Sequence, residues 1–350
     1  PLPPIGTLGF RVQRYGMLHW GDLFTARQKL AMVSLAKTSQ IGVEVDEVLK
    51  ILLSLLIGKG ADGNNSLVRW MPGYENPDHL FARQALPIVW DFCESAPASQ
   101  ARGVFLSAID SMVEVINELR MIKVGQVQQA DACESHLPTE TATLWFTDPP
   151  YYDAVPYADL SDFFYVWLKR TLPGHPLLQN PYEPSNDLTP KSPEIVQDET
   201  KKFAGRPKDR RFFEERMALA FAERRRVLRD DGIGSVVFAH KTTEGWEALL
   251  QGVLNGGWTI TASWPIRTEM GSRLRARESA ALATSIHLVC RPRPPQAGVG
   301  DWAEVKTDME ERVRAWMQRL QEEGIRGADA LFACIGPAME VYSRYERVET

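Results

Sequence analysis

Cysteine is scarce in this chain and nowhere clustered: Cys93, Cys133, Cys290 and Cys334 are the only four in 350 residues. None lies at metal-ligand spacing from another, so the pattern gives no metal site or disulfide framework and suits reduced thiols in a cytoplasmic protein. Long hydrophobic runs are lacking too. The most apolar stretch, residues 48–57, includes Lys50 and is about half the roughly 20 residues that a membrane-spanning helix needs, and no signal peptide precedes it. Positive charge is not in excess: the formal net charge is −5, so any nucleic-acid surface has to be a local basic patch rather than a global field. An initiator methionine is missing as well. The opening Pro1-Leu2-Pro3-Pro4 reads as the middle of a connection, and the expectation is a fragment or a processed chain.

What is present is ordinary for a globular protein, with 44% hydrophobic and 24% charged residues. The length suffices for a large core in one elaborated domain or more. Residues 1–120 read as mainly helical. Thr25 and Gln28 have capping-box spacing before a helix over 26–36, and 45–57 forms a second helix closed by Gly58. A loop rich in Gly and Asn over 60–77 precedes helices over 81–92 and 104–121. The last carries Phe105, Ile109, Met112, Val115 and Ile116 on one face, as a core helix would. Arg11, Arg14, Tyr15, His19 and Trp20 either line a groove or pack around the start of the chain.

From 121 to 295 strand and helix alternate. Strands are expected over 124–128, 143–147, 234–239, 258–264 and 284–291, with helices over 159–170, 212–228 and 245–254. Such alternation predicts an α/β fold with a doubly wound sheet. Residues 296–350 form a helical extension, with Trp302, Val305, Met309, Val313, Trp316 and Leu320 on the inner face of a helix over 302–320.

One stretch carries chemistry. Leu144, Trp145 and Phe146 have the short buried pattern of an interior strand, and Thr147-Asp148-Pro149-Pro150-Tyr151 follows at its carboxyl end, where open α/β sheets bind ligands. The two prolines end the strand, because neither donates a ladder hydrogen bond. What remains is a set of acceptors: the Asp148 carboxylate and the carbonyls of Thr147, Asp148 and Pro149. An exocyclic amino group on a nucleobase is a poor nucleophile because its lone pair is delocalised into the ring. Acceptors aimed at both of its hydrogens pull the nitrogen toward tetrahedral geometry and stabilise the charge that develops as it attacks a methyl donor. Tyr151 supplies an aromatic face for a base that has lost its stacking.

Asp148-Pro149-Pro150-Tyr151 resembles the catalytic motif of S-adenosylmethionine-dependent amino methyltransferases acting on adenine N6 or cytosine N4 in DNA. The longer string over 147–170, TDPPYYDAVPYADLSDFFYVWLKR, is similar to a family of large prokaryotic proteins identified as adenine-specific DNA methylases, as are residues 6–28 and 64–94. The resemblance implies a Rossmann-like methyltransferase sheet whose two late strands form an antiparallel edge. It implies S-adenosylmethionine as cofactor, DNA as partner and a restriction-modification or phage-defence setting. Catalysis falls to Asp148, Pro149, Pro150 and Tyr151, while Tyr152, Asp153 and Tyr157 shape the substrate pocket. Asp131, at the end of the strand expected over 124–128, either accepts a hydrogen bond from the cofactor's adenine or caps a turn.

The family's glycine-rich turn, which should follow a first strand and open a helix, is absent. The glycines at 6–9, 58–63 and 232–234 do not have that context. The implied cofactor half therefore belongs to an upstream segment or a second subunit.

Two basic stretches are candidate phosphate contacts. The connection over 172–211 contains Pro173, Pro176, Pro181, Pro184, Pro190, Pro193 and Pro207, and reads as a lid or a disordered loop. Its end, KKFAGRPKDRR, contributes Lys201, Lys202, Arg210 and Arg211, either to DNA or to solvent. Arg273, Arg275 and Arg277 follow between the late strands. The function expected is methyl transfer to a DNA amino group, adenine N6 first. The alternatives are an RNA or protein-glutamine methyltransferase, or a non-catalytic DNA-binding subunit of a defence complex.

Overall fold

The computed structural model describes residues 1–7, 9–41, 46–82, 84–96, 99, 105–119, 124–267, 284–325 and 327–349. The chain forms two compact units, one of Pro1–Gln129 with Val155–Glu194 and one of Ala130–Ala154 with Ile195–Thr350. Residues 155–170, which the sequence pattern groups with the sheet, thus belong to the amino-terminal unit, and the carboxy-terminal helices belong with the sheet.

The first unit is helical. Helix α1 (Ala26–Ile41) starts at the expected capping box, with Gln28 N donating to Thr25 Oγ1 at 3.2 Å and Thr25 N to Gln28 Oε1 at 3.0 Å. Helix α2 (Glu47–Gly63) runs straight through Gly58, against expectation. Its Leu56, Ile57 and Ala61 are buried, and this packing outweighs the roughly 1 kcal/mol that a mid-helix glycine costs. Helix α3 (Phe105–Glu118) forms, yet it buries only Ala108 and leaves Val113, Val115 and Ile116 exposed, so its apolar face is not the core face that its periodicity suggests.

The helix expected over 81–92 is not there. Pro87 removes a ladder donor, and the Leu86 N–H is used instead by the Gly9 carbonyl at 3.1 Å. Helix α4 (Tyr157–Thr171) provides Phe163, around which Phe24 stacks at 5.9 Å and Trp20 and Phe81 meet edge-on at 5.9 and 5.5 Å.

The second unit is built on a four-stranded sheet. Strand β1 (Ala142–Thr147) pairs in parallel with β4 (Leu228–Phe238), β4 pairs antiparallel with β6 (Thr284–Pro292), and β6 pairs antiparallel with β5 (Trp258–Arg267). The two late strands thus make the antiparallel edge that was expected. Between β1 and β4 in sequence, Asp198–Phe203 (β2) and Arg206–Lys208 (β3) form a separate hairpin, so the end of the long connection is not a disordered loop. The strand expected over 124–128 does not form; residues 124–130 join no sheet.

Helices cover one face. Val236, Phe238, Leu288, Cys290 and Ile260 pack against α5 (Arg210–Val227), α6 (Thr243–Asn255) and α7 (Trp302–Glu322) through Phe221, Trp246, Leu249 and Leu320. Burial of about 25 cal/mol per Å² on this face is what holds the unit together. Trp145 reaches the same core, 5.5 Å from Phe221 and 5.0 Å from Trp258. Gly234 lies beneath its indole, where a Cβ would come within 2.8 Å.

Leu144 and Phe146 point to the opposite face and are 63% and 61% exposed. The reading of β1 as an interior strand is therefore corrected. It is an edge strand among the described residues, and its exposed Leu144 and Phe146 lie on the same face as Trp264, which meets Trp316 of α7 edge-on at 6.3 Å.

Candidate active site

Strands β1 and β4 run parallel with Thr147 opposite Val236, so the segments after them leave the same edge of the sheet. The segment after β1 is the Asp-Pro-Pro loop. Asp148 is exposed and makes no hydrogen bond or ion pair among the described residues, while Pro149 beside it is buried. A carboxylate on a loop fixed by a buried proline is available to a ligand without first giving up a protein partner.

The rest of the loop is tied down. Tyr152 N donates to Pro150 O at 3.0 Å and Ala154 N to Tyr151 O at 2.9 Å. Tyr152 adopts φ +52°, a left-handed conformation that a non-glycine residue holds only when its surroundings impose it. They do so here. Its ring is buried edge-on against Phe213 and His240, its hydroxyl donates to Glu244 Oε1 at 3.0 Å, and its carbonyl accepts from Gln197 N at 3.0 Å. Burial, then the Glu244 carboxylate, push this phenol well above its ordinary pKa, so it stays a donor. Tyr152 is thus a structural anchor of the loop rather than a free pocket wall. Tyr151 is partly buried, its ring edge-on to Phe238 at 5.3 Å.

Asp153 is half-exposed and accepts from His240 Nε2 at 3.1 Å. The Thr242 N–H and hydroxyl face His240 Nδ1 at 3.3 and 2.9 Å. Nδ1 must therefore accept, which puts the proton on Nε2, directed at Asp153. Thr242 also caps α6 through Gly245 N at 3.3 Å. His240, Thr242 and Glu244 were not picked out from the sequence. Their signal was available, because HKTTE follows the second parallel strand and opens a helix, the same position that singled out Asp148.

Of the other expected site residues, Arg210 comes within 4.0 Å of Glu244, the carboxylate that Tyr152 bonds. Tyr157 begins α4 in the first unit. Asp131 pairs with Arg216, and its Oδ1 accepts from Cys133 N at 2.9 Å, so it caps a turn and its carboxylate is engaged on both oxygens. Lys201 faces Asp198 at 3.3 Å, Arg210 bonds Glu214 at 2.7 Å, and Arg211 bonds Glu215 at 2.6 Å. Lys202 is exposed and has no such carboxylate among the described residues. Arg273, Arg275 and Arg277 fall outside the described residues. Among the described residues no group of three His, Cys, Asp or Glu side chains is placed to hold a metal, and no helix is long and apolar enough to cross a membrane.

Comparison of the chain with family models, with curated proteins and with solved structures gave no match.

Proposed function

We propose that this chain carries the acceptor side of an S-adenosylmethionine-dependent methyltransferase acting on an exocyclic amino group of a DNA base, adenine N6 foremost. The observation that carries the reading is Asp148: an exposed carboxylate, unpaired among the described residues, at the carboxyl end of a parallel strand and followed by two prolines that offer no N–H. In that role Asp148 and the Pro149 carbonyl accept the two amino hydrogens, and the carboxylate stabilises the positive charge that grows on nitrogen. Tyr151 offers the face for the base, and the anchored Tyr152 and Asp153 keep the loop from collapsing.

The sheet lends support. Its order β1-β4-β6-β5, with β6 alone antiparallel, is the arrangement expected for one half of a Rossmann-like methyltransferase sheet. The methyl donor fits the described residues less well. Asp131 is engaged by Arg216 and Cys133, and the strand expected to lead to it is not in the sheet. The chemistry assigned to this chain is therefore acceptor binding and polarisation, with the donor held mainly by residues other than these.

The test is Asp148→Ala in the complete protein, with modified bases in cellular DNA read by long-read sequencing. Removing one preorganised electrostatic contact lowers transfer by on the order of a hundredfold or more, while thermal stability should stay within about 0.5 kcal/mol because Asp148 is exposed and unpaired. Unchanged methylation removes the loop from the mechanism.

A further inference from the structure

The first unit contains a cavity of about 370 Å³ that the acceptor loop does not use. This is within the usual range for small-molecule sites of roughly 300–1,000 Å³. Its walls are apolar and aromatic: Phe81 from the segment after α2, and Tyr157, Leu160 and Phe164 from the first two turns of α4. Phe81 and Phe164 support each other at 5.5 Å. An open depression of this composition offers an aromatic face on which a flat ring can lie.

The polar groups at its border are directed. Asp62 is buried, its Oδ1 accepts from Leu80 N at 3.1 Å, and its Oδ2 lies 3.0 Å from His79 Nδ1. A carboxylate only accepts, so Nδ1 carries the proton, and in the neutral form of the imidazole Nε2 is then the acceptor. Gln84 is exposed at the same cavity, and its amide has no partner among the described residues. A carboxamide offers an acceptor and a donor side by side, the pair that matches the N6 amino group and N7 of adenine. His79 adds a second acceptor for an amino hydrogen.

We infer that this cavity is an adenine-binding site, with the ring against its aromatic wall and its amino edge read by Gln84 and His79. The ring can come from a nucleic-acid strand or from an adenosine-bearing cofactor, since both offer the same edge. This inference goes beyond the methyltransferase reading and does not depend on it.

The experiment uses protein spectra of the full chain titrated with adenosine, inosine, S-adenosylhomocysteine, and oligothymidylate with or without one dA. The expected result is a saturable response to adenosine, at least fivefold weaker for inosine, whose oxo group reverses the hydrogen-bond polarity at position 6. Gln84→Ala should weaken adenosine about tenfold, the equivalent of one or two hydrogen bonds. Gln84→Glu should do the same, because it sets a carboxylate against N7.

A response to the dA-containing strand and not to S-adenosylhomocysteine assigns the site to nucleic acid, and the converse assigns it to a cofactor. Equal affinities for adenosine and inosine, no saturation, or no effect of either Gln84 variant would overturn the inference. Absence of saturable adenosine binding in a protein that still transfers methyl groups sinks the cavity alone. Adenosine binding by the chain, with methylation by the complete protein unchanged in Asp148→Ala, sinks the proposed function alone.

Discussion

His240 Nε2 donates to Asp153 Oδ1 at 3.1 Å, joining the end of β4 to the acceptor loop that follows its parallel neighbour β1. The imidazole is 4% exposed, its backbone carbonyl accepts from Trp246 Nε1 at 3.0 Å, and a Cβ on Gly245 would come within 2.3 Å of Nδ1. The ring is therefore enclosed by the first turn of α6, and its place decides where Asp153 points.

Replacing His240 with Ala should destabilise the protein by about 2–4 kcal/mol, since it leaves a cavity and breaks buried hydrogen bonds. Asp153→Ala should cost less, because that side chain is half-exposed. A double-mutant cycle by chemical denaturation should give a coupling of about 0.5–1.5 kcal/mol. Strict additivity would mean that the contact does not hold the loop.

Much of this architecture is legible in the sequence. The Thr25 and Gln28 box marks the start of α1, the two late strands pair as expected, and the Asp-Pro-Pro loop sits where a strand ends. What misled was context that local pattern cannot carry. Residues 81–92 have helical apolar spacing, but Pro87 and the Leu86 bond to Gly9 give the backbone another use. Leu144 and Phe146 look buried because their composition fits a strand enclosed on both faces, whereas β1 is open on one side. His240 stands at a strand end just as Asp148 does, but its pairing with Asp153 is evident only once β4 is known to lie beside β1.

Acid should weaken the protein through Glu223 among other groups. Arg226 grips this carboxylate at 2.7 and 2.9 Å and Ser135 N donates at 2.8 Å, which holds its pKa at about 2, below the ordinary 4.5. A pKa lowered on folding gives stability that is present above about pH 4.5 and lost as pH falls toward 2. After solvent screening the contribution is about 1 kcal/mol. Melting temperatures of wild type and Glu223→Gln should therefore differ at pH 6 and converge near pH 2. A constant difference would assign the effect to packing.

The basic hairpin should contribute to DNA binding chiefly through Lys202. Lys201, Arg210 and Arg211 have carboxylate neighbours and must leave them to meet a phosphate. Each phosphate contact adds about one to the slope of log affinity against log salt. Lys202→Gln should lower the slope by about one, and changing all four residues to Gln should lower it by well under four. Anisotropy titrations with duplex DNA across salt concentrations check this. A drop near four means that the ion pairs open on binding, and an unchanged slope means that the hairpin is only solvated.

The chain by itself should bind S-adenosylmethionine no more tightly than adenosine, and it should not methylate DNA. A glycine-rich turn after a strand normally lets the cofactor approach backbone N–H groups at a helix terminus, and the sequence has none in that context. Asp131 is no substitute, since releasing it for a ligand would strand the partly buried Arg216 that it neutralises. Asp148 could touch only one end of the donor, and one or two hydrogen bonds at about 1 kcal/mol each do not offset the cost of immobilising it. Among the described residues one side of β1 is open, and a further strand can pair there: its six residues, ATLWFT, carry no charge or proline to discourage pairing. Adding a segment that supplies strands to this edge should restore tight binding and protect the β1 amides from hydrogen exchange. Calorimetric titration of the chain alone decides the first point, and tight stoichiometric binding there would show that residues already present form the cofactor site.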